Sequence, residues 1–133
     1  MQTKNILNGE CLCGKVSWEM HGPYEFFGMC QCSRCRKVTG AAFATNLFVK
    51  PEQFSWLSGE NERGEYILSP PNTFGNAFCN NCGSRVPRQT ARAWMLAPLG
   101  STMELPDIEP TLVCPEDHTD WFNNLEEILN KGK

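Results

Sequence analysis

Apolar and polar residues alternate over residues 15–21, with Val16, Trp18 and Met20 on one side and Ser17, Glu19 and His21 on the other. A period of two predicts a half-buried strand. Gly22-Pro23 ends it, and Tyr24 to Met29 reads as the next strand. Ala42 to Val49 is apolar enough for another. Pro51-Glu52-Gln53-Phe54 reads as one helical turn with Pro at its first position. Phe54 to Leu57 and Glu65 to Leu68 are short strands around a Gly59 to Gly64 turn, and Pro70-Pro71-Asn72 is a loop. Thr73 to Cys79, Ala93 to Leu96 and Thr111 to Cys114 are further short strands or apolar runs. The last segment changes period. Trp121, Phe122, Leu125, Ile128 and Leu129 form a helical stripe, with Thr119 or Asp120 to cap it and Lys131-Gly132 to end it. The pattern predicts a mainly β domain with a C-terminal helix at about 119–130.

The 133 residues make one domain over 1–133, with no repeat and no linker. Its 11 glycines and 9 prolines are spread along the chain, which suits many short strands and turns. Such a domain buries only a modest core, so metal cross-links would add to its stability. The formal net charge is −3, and seven thiolates would outweigh the charge of two zinc ions. A mildly acidic protein is a poor general binder of nucleic acid or anionic membrane. No apolar run approaches the ~20 residues that span a bilayer. The start, Met1-Gln2-Thr3-Lys4-Asn5, has no apolar segment after it and does not read as a secretory signal. A cytoplasmic, reducing location is the expectation. There, clustered cysteines read as metal or redox chemistry rather than a disulfide framework.

Seven of the eight cysteines fall in three clusters: Cys11 and Cys13; Cys30, Cys32 and Cys35; Cys79 and Cys82. Zinc takes four ligands in a closed structural site and three protein ligands in a catalytic one. Two plus two makes a closed site. Cys11 and Cys13 are two apart, which on an extended segment puts both side chains on one face. Cys79 and Cys82, followed by Gly83, have the spacing of a zinc knuckle. A zinc-binding body over about 8–114 follows. The triple supplies three thiolates from six residues, with no fourth ligand adjacent in sequence. It reads as an open zinc site, whose vacant position suits a sulfur ligand held as thiolate. Two other readings stand beside this one. The triple could be a closed site completed by His21, His118, Cys114 or a carboxylate, or Cys32 and Cys35 could be a redox dithiol. Cys114 follows Leu112-Val113 and reads as a core thiol.

The ordered set resembles the glutathione-dependent formaldehyde-activating enzyme family, which includes centromere protein V-like proteins. The resemblance runs from about Asn8 to about Leu99. It is carried by Gly9-Glu10-Cys11-Leu12-Cys13-Gly14, by Cys30-Gln31-Cys32-Ser33-Arg34-Cys35-Arg36 with Thr39-Gly40, and by Phe78-Cys79-Asn80-Asn81-Cys82-Gly83-Ser84. It implies a zinc-bearing β-tent of packed antiparallel sheets. It also implies two Zn²⁺ per chain: a structural ion on Cys11, Cys13, Cys79 and Cys82, and a catalytic-type ion on Cys30, Cys32 and Cys35. The implied activity is that of a carbon–sulfur lyase, adding glutathione to formaldehyde to give S-hydroxymethylglutathione. Two features depart from the family pattern: Gln31 stands where members often carry His, and the tail reads as helix.

Glutathione carries two carboxylates, and arginine pairs with carboxylate through a two-pronged fork. Arg34, Arg36, Lys37, Arg85, Arg88 and Arg92 are the candidates, with Arg34 and Arg36 first because they flank Cys35. Phe43, Phe48 or Trp94 could line a pocket, and Thr39 or Ser33 could orient an alkoxide. The rival to an enzyme is a non-catalytic zinc module that binds protein or nucleic acid through its basic clusters.

Overall fold

The computed structural model describes residues 3–68, 74–102, 104–124 and 130–131. Strands β2 (Ile6–Glu10), β3 (Ser17–His21) and β6 (Phe54–Ser58) form an antiparallel sheet in the order β2-β3-β6. The alternation in β3 appears as expected: Trp18 and Met20 are fully buried, and Glu19 and His21 face out. Gly9 lies opposite Trp18, and the indole lies across it. A Cβ at Gly9 would come within 2.4 Å of the ring, so this cross-strand pair requires glycine.

The largest sheet runs β10-β11-β5-β4-β13, from Arg88–Gln89, Met95–Pro98, Ala44–Val49, Phe26–Cys30 and Thr111–Val113. β5 is central, paired with β11 and β4, and buries Ala44, Asn46, Leu47 and Val49. Among the described residues the sheets are mostly antiparallel, with two exceptions. β13 joins β4 in parallel, and β1 (Thr3–Lys4) pairs in parallel with β12 (Leu105–Pro106). A third sheet holds β7 (Arg63–Ile67), β8 (Gly75–Cys79) and β9 (Arg85–Val86). One core cluster joins these sheets through Leu7, Trp18, Met20, Leu47, Val49 and Val86.

The expected turn at Pro51 is a short 3-10 helix, Pro51–Gln53. Gln53 Nε2 donates to the carbonyls of His21 and Pro23, tying this turn to the end of β3. Gly22-Pro23, the expected strand end, is a cis peptide. The Gly59 to Gly64 turn is shorter than expected, because the chain reverses over Glu60–Glu62 and Arg63 and Gly64 already belong to β7. The Pro70-Pro71-Asn72 loop and the start of the Thr73 strand lie outside the described residues. So does the middle of the expected C-terminal helix, residues 125–129. Its beginning is a 3-10 helix, Asp120–Asn124. There Phe122 lies tilted against Phe43 at 5.4 Å, whereas Trp121 is exposed and meets Phe122 edge-on. Among the described residues, no helix is long and apolar enough to cross a membrane.

Candidate metal centres and the groups around them

Cys11 and Cys13 sit on the turn between β2 and β3, not on an extended strand. Gly14 N–H donates to the Cys11 carbonyl, Cys11 N–H donates to the Val16 carbonyl, and Gly14 takes φ +81°. The turn brings both thiols toward Cys79 and Cys82, with Cys11 buried and Cys13 exposed, where strand geometry would have set them along one edge. Cys79 ends β8, and Cys82 follows on a tight turn closed by Gly83 N–H to the Cys79 carbonyl, with Gly83 at φ +78°. The four Sγ atoms all lie within 4.8 Å of one another. Cys11 and Cys13 sulfurs are 3.6 Å apart, and Cys13 and Cys79 sulfurs 3.8 Å apart. Tetrahedral zinc with bonds of ~2.3 Å to sulfur needs sulfurs roughly 3.8 Å apart, so the donor set fits zinc.

Amide groups already point at these sulfurs. Val16 N–H donates to Cys11 Sγ at 3.3 Å, and Asn81 N–H donates to Cys79 Sγ at 3.4 Å. Such donors stabilise thiolate and orient ligands. Ser84 bridges the two halves: its Oγ accepts from Leu12 N–H at 3.0 Å and lies 3.3 Å from Cys82 Sγ. Its hydroxyl proton is then available to the thiolate, and together with the Ser84 N–H it draws the Cys82 thiol down to about 5. Cys13 is also lowered, chiefly by the Asn81 side chain, whereas burial raises Cys11.

A thiol whose pKa is depressed by folding contributes its benefit above its ordinary value of ~8.5, and loses it as pH falls through the depressed one. Ser84→Ala is therefore expected to raise the pH at which acid displaces metal from this cluster and to weaken zinc affinity about tenfold. Competition with a chromophoric chelator across pH measures both. An unchanged release profile would show that Ser84 plays no part.

The triple is built differently. Cys30 ends β4, and Cys32 caps helix α1 (Ser33–Thr39), accepting from Cys35 N–H at 3.3 Å. Gly40, in the left-handed region at φ +66°, ends the helix. The three Sγ atoms lie within 4.8 Å of one another, all buried. Among the described residues, no fourth cysteine, histidine or carboxylate joins them. His21 is at the exposed end of β3, and His118 Nδ1 pairs with the Thr119 carbonyl. Cys114 is half-buried, not a core residue. It packs beside the triple with Phe74 and Val113, because the parallel pairing of β13 with β4 sets Val113 opposite Cys30.

Burial raises Cys30 and, more strongly, Cys35. At Cys32 burial also opposes the thiolate, but the Cys35 N–H and the neighbouring thiols outweigh it and the pKa falls. One cysteine of the three thus favours thiolate in the metal-free chain. A cation on this face would bring the others down, as metal coordination deprotonates thiols outright. Three buried sulfurs on one side of a common point fit zinc with an open position.

The arginines divide by environment. Arg36 is held at home: its Nε donates to the Gln31 carbonyl at 3.1 Å and its Nη2 lies 3.9 Å from Asp117. Asp117 also accepts from Ser33 N–H at 2.7 Å, clamping the segment after β13 onto the start of α1. Arg34 is exposed, with its guanidinium 5.5 Å from the Phe74 ring centre. Arg88 is buried beside Glu65 at 3.4 Å. Arg85 is half-buried, with Nε donating to Asn76 at 3.0 Å and Nη1 to Asn46 at 2.8 Å.

The two arginines in β9 and β10 therefore build no exposed basic patch of the kind a nucleic-acid surface needs. Thr39 donates to the Cys35 carbonyl at 2.7 Å, within its own helix. Phe43 lines a cavity of about 380 Å³ with Thr39, Ala44, Ser84 and Arg85. Phe48 and Trp94 line a separate cleft of about 550 Å³ with Phe26 and Arg92, at the far end of β4 and β5. Asn46 and Asn76 escape a reading of the sequence. The one signal is a buried amide in the otherwise apolar Ala44–Val49 strand.

A crystal structure of a Rhodobacter sphaeroides protein is similar in fold, with a TM-score of 0.60 and 19% identity, covering 77% of this chain and 97% of that one. No curated protein matches the chain. The family described as glutathione-dependent formaldehyde-activating enzyme matches residues 6–116, a span that holds every cysteine of the two clusters, and the chain belongs to that family.

Proposed function

We propose that this chain is a carbon–sulfur lyase-type enzyme that joins glutathione to formaldehyde, giving S-hydroxymethylglutathione, and catalyses the reverse. The observation that carries the reading is the triple itself: three buried sulfurs converge, and no described side chain completes the set. Cys30, Cys32 and Cys35 would hold the catalytic-type zinc, and Cys11, Cys13, Cys79 and Cys82 the structural one. A zinc ion on the triple supplies one thing, the stabilisation of a bound thiol as thiolate near neutral pH.

The balance of the reaction is simple. The thiolate sulfur bonds to the carbonyl carbon, the carbonyl π pair moves to oxygen, and that oxygen takes up a proton. The chain's own residues shape where this happens. Ala44, Phe74 and Val113 pack around the sulfurs and keep water from them. The Cys35 N–H steadies Cys32 in its charged form. Asp117 and Arg36 fix the helix that carries Cys32 and Cys35. Of the two flanking arginines assigned to substrate, Arg34 is the more available, since Arg36 serves Gln31 and Asp117.

The test is a panel of glutathione and other thiols with formaldehyde, run on protein carrying two zinc ions. Adduct formation detected by ¹³C NMR with labelled formaldehyde, faster than the uncatalysed rate and lost on chelation, is the expected result. No acceleration with any thiol would sink the reading.

A further inference from the structure

Arg85 carries a charge that is balanced, among the described residues, by the thiolates of the triple but by no carboxylate. Its two described partners are the neutral amide oxygens of Asn46 and Asn76, one from β5 and one from β8. Among the described residues, no carboxylate lies within ion-pair distance of it. The neighbouring Arg88, whose charge disfavours that of Arg85, is the one paired with Glu65. Partial burial of a cation with no carboxylate partner is costly, and an arriving anion would relieve that cost.

Arg85 also faces an available space. It lines the cavity of about 380 Å³, whose other walls include Thr39 and Ala44. Ala44 packs on the cysteine triple and lies opposite Cys30, and Thr39 donates to the Cys35 carbonyl. Ala44 thus stands between this cavity and the triple, whose cysteines do not themselves line it, and Gly83 and Ser84 form another part of the wall. Electrostatics agree: burial lowers the Arg85 pKa, and the triple's thiolates push it back up.

We propose that Arg85, braced by Asn46 and Asn76, is the anion anchor of this site and receives a carboxylate of an acidic thiol whose sulfur is taken up at Cys30, Cys32 and Cys35. The assignment rests on the thiol-binding reading of the triple and adds the group that selects among thiols. The two amides hold the guanidinium plane, leaving further N–H groups of the fork for a carboxylate. Arg85 thus takes precedence over Arg34 and Arg36, which sit on the outer side of α1.

The test is equilibrium binding to the zinc-loaded protein, comparing 3-mercaptopropionate with 2-mercaptoethanol by calorimetry. Wild type should prefer the acid about tenfold to a hundredfold, the usual effect of a charge-assisted pair. Arg85→Gln should abolish that preference while keeping both the zinc content and the binding of 2-mercaptoethanol. Arg85→Lys should restore part of it. On wild-type protein, the Arg85 Nε–Hε NMR signal should shift with 3-mercaptopropionate and stay put with 2-mercaptoethanol, a readout that needs no variant to fold. If Arg85→Gln sheds zinc from the triple, or keeps the acid preference, Arg85 is a counter-charge to the thiolates and the assignment is overturned. If neither thiol binds wild type, the thiol-binding reading falls and the anchor with it.

Discussion

Replacing Cys79 with alanine is expected to unfold this chain at ambient temperature. Cys79 is buried to 1% exposure at the end of β8. Its sulfur lies 3.8 Å from Cys13, on the turn between β2 and β3, so the cluster fastens two sheets that are far apart in sequence. A closed four-thiolate zinc site can supply ~10 kcal/mol or more of folding free energy. The whole net stability of an ordinary domain is ~5–15 kcal/mol. Losing one of four ligands also strands three thiols in a part-buried space made for a metal. Far-UV circular dichroism and metal analysis would show collapse of the strand signal and loss of the bound zinc. A Cys79→Ala protein that folds and melts like wild type would remove the structural role of this cluster.

Cys35→Ala should behave in the opposite way. The fold should survive, one zinc of two should be lost, and turnover should fall to the uncatalysed rate. Cys35 sits on a seven-residue helix, within a small satellite cluster of Cys30, Cys32 and Ala44. The main core around Trp18, Leu47 and Val49 does not include it. Truncating one buried thiol there should cost about 1–3 kcal/mol, within the usual range for a point substitution. Two ligands do not hold zinc firmly, so the metal would go with the third sulfur. Thermal melting, zinc stoichiometry and the formaldehyde assay on one preparation decide the matter. If Cys35→Ala unfolds as badly as Cys79→Ala, the triple is a second structural site and the proposed function loses its basis.

The contrast between the two variants follows from where each cluster sits. Both clusters were legible as ligand sets, because short cysteine spacings leave little freedom in how the sulfurs meet. How each set is presented was less so. Cys11-Leu12-Cys13 looks the same whether on a strand or a turn, and only the Gly14 to Cys11 hydrogen bond and the approach of Ser84 show the turn. Cys114 follows an apolar pair and reads as core. The parallel pairing of β13 with β4 places it beside the triple instead, and no local pattern announces a parallel partner more than 80 residues away. Trp121 belongs to a helical stripe by period, yet it is exposed while its neighbour Phe122 packs on Phe43.

By itself the sequence determined the mainly β character, the strand over Ser17–His21, and the division of seven cysteines into a four-sulfur and a three-sulfur set. These are local properties: side-chain periodicity of two, turn chemistry at Gly and Pro, and the short reach between neighbouring thiols. Tertiary structure alone decided which arginine faces the triple. Arg34 and Arg36 are nearest in sequence, yet one lies over Phe74 and the other is tied to Gln31 and Asp117. Arg85 stands fifty residues beyond Cys35, brought into place by amides from β5 and β8. A half-buried guanidinium held by neutral amides, with no carboxylate among the described residues, is a property of the packed sheets, and no spacing along the chain encodes it.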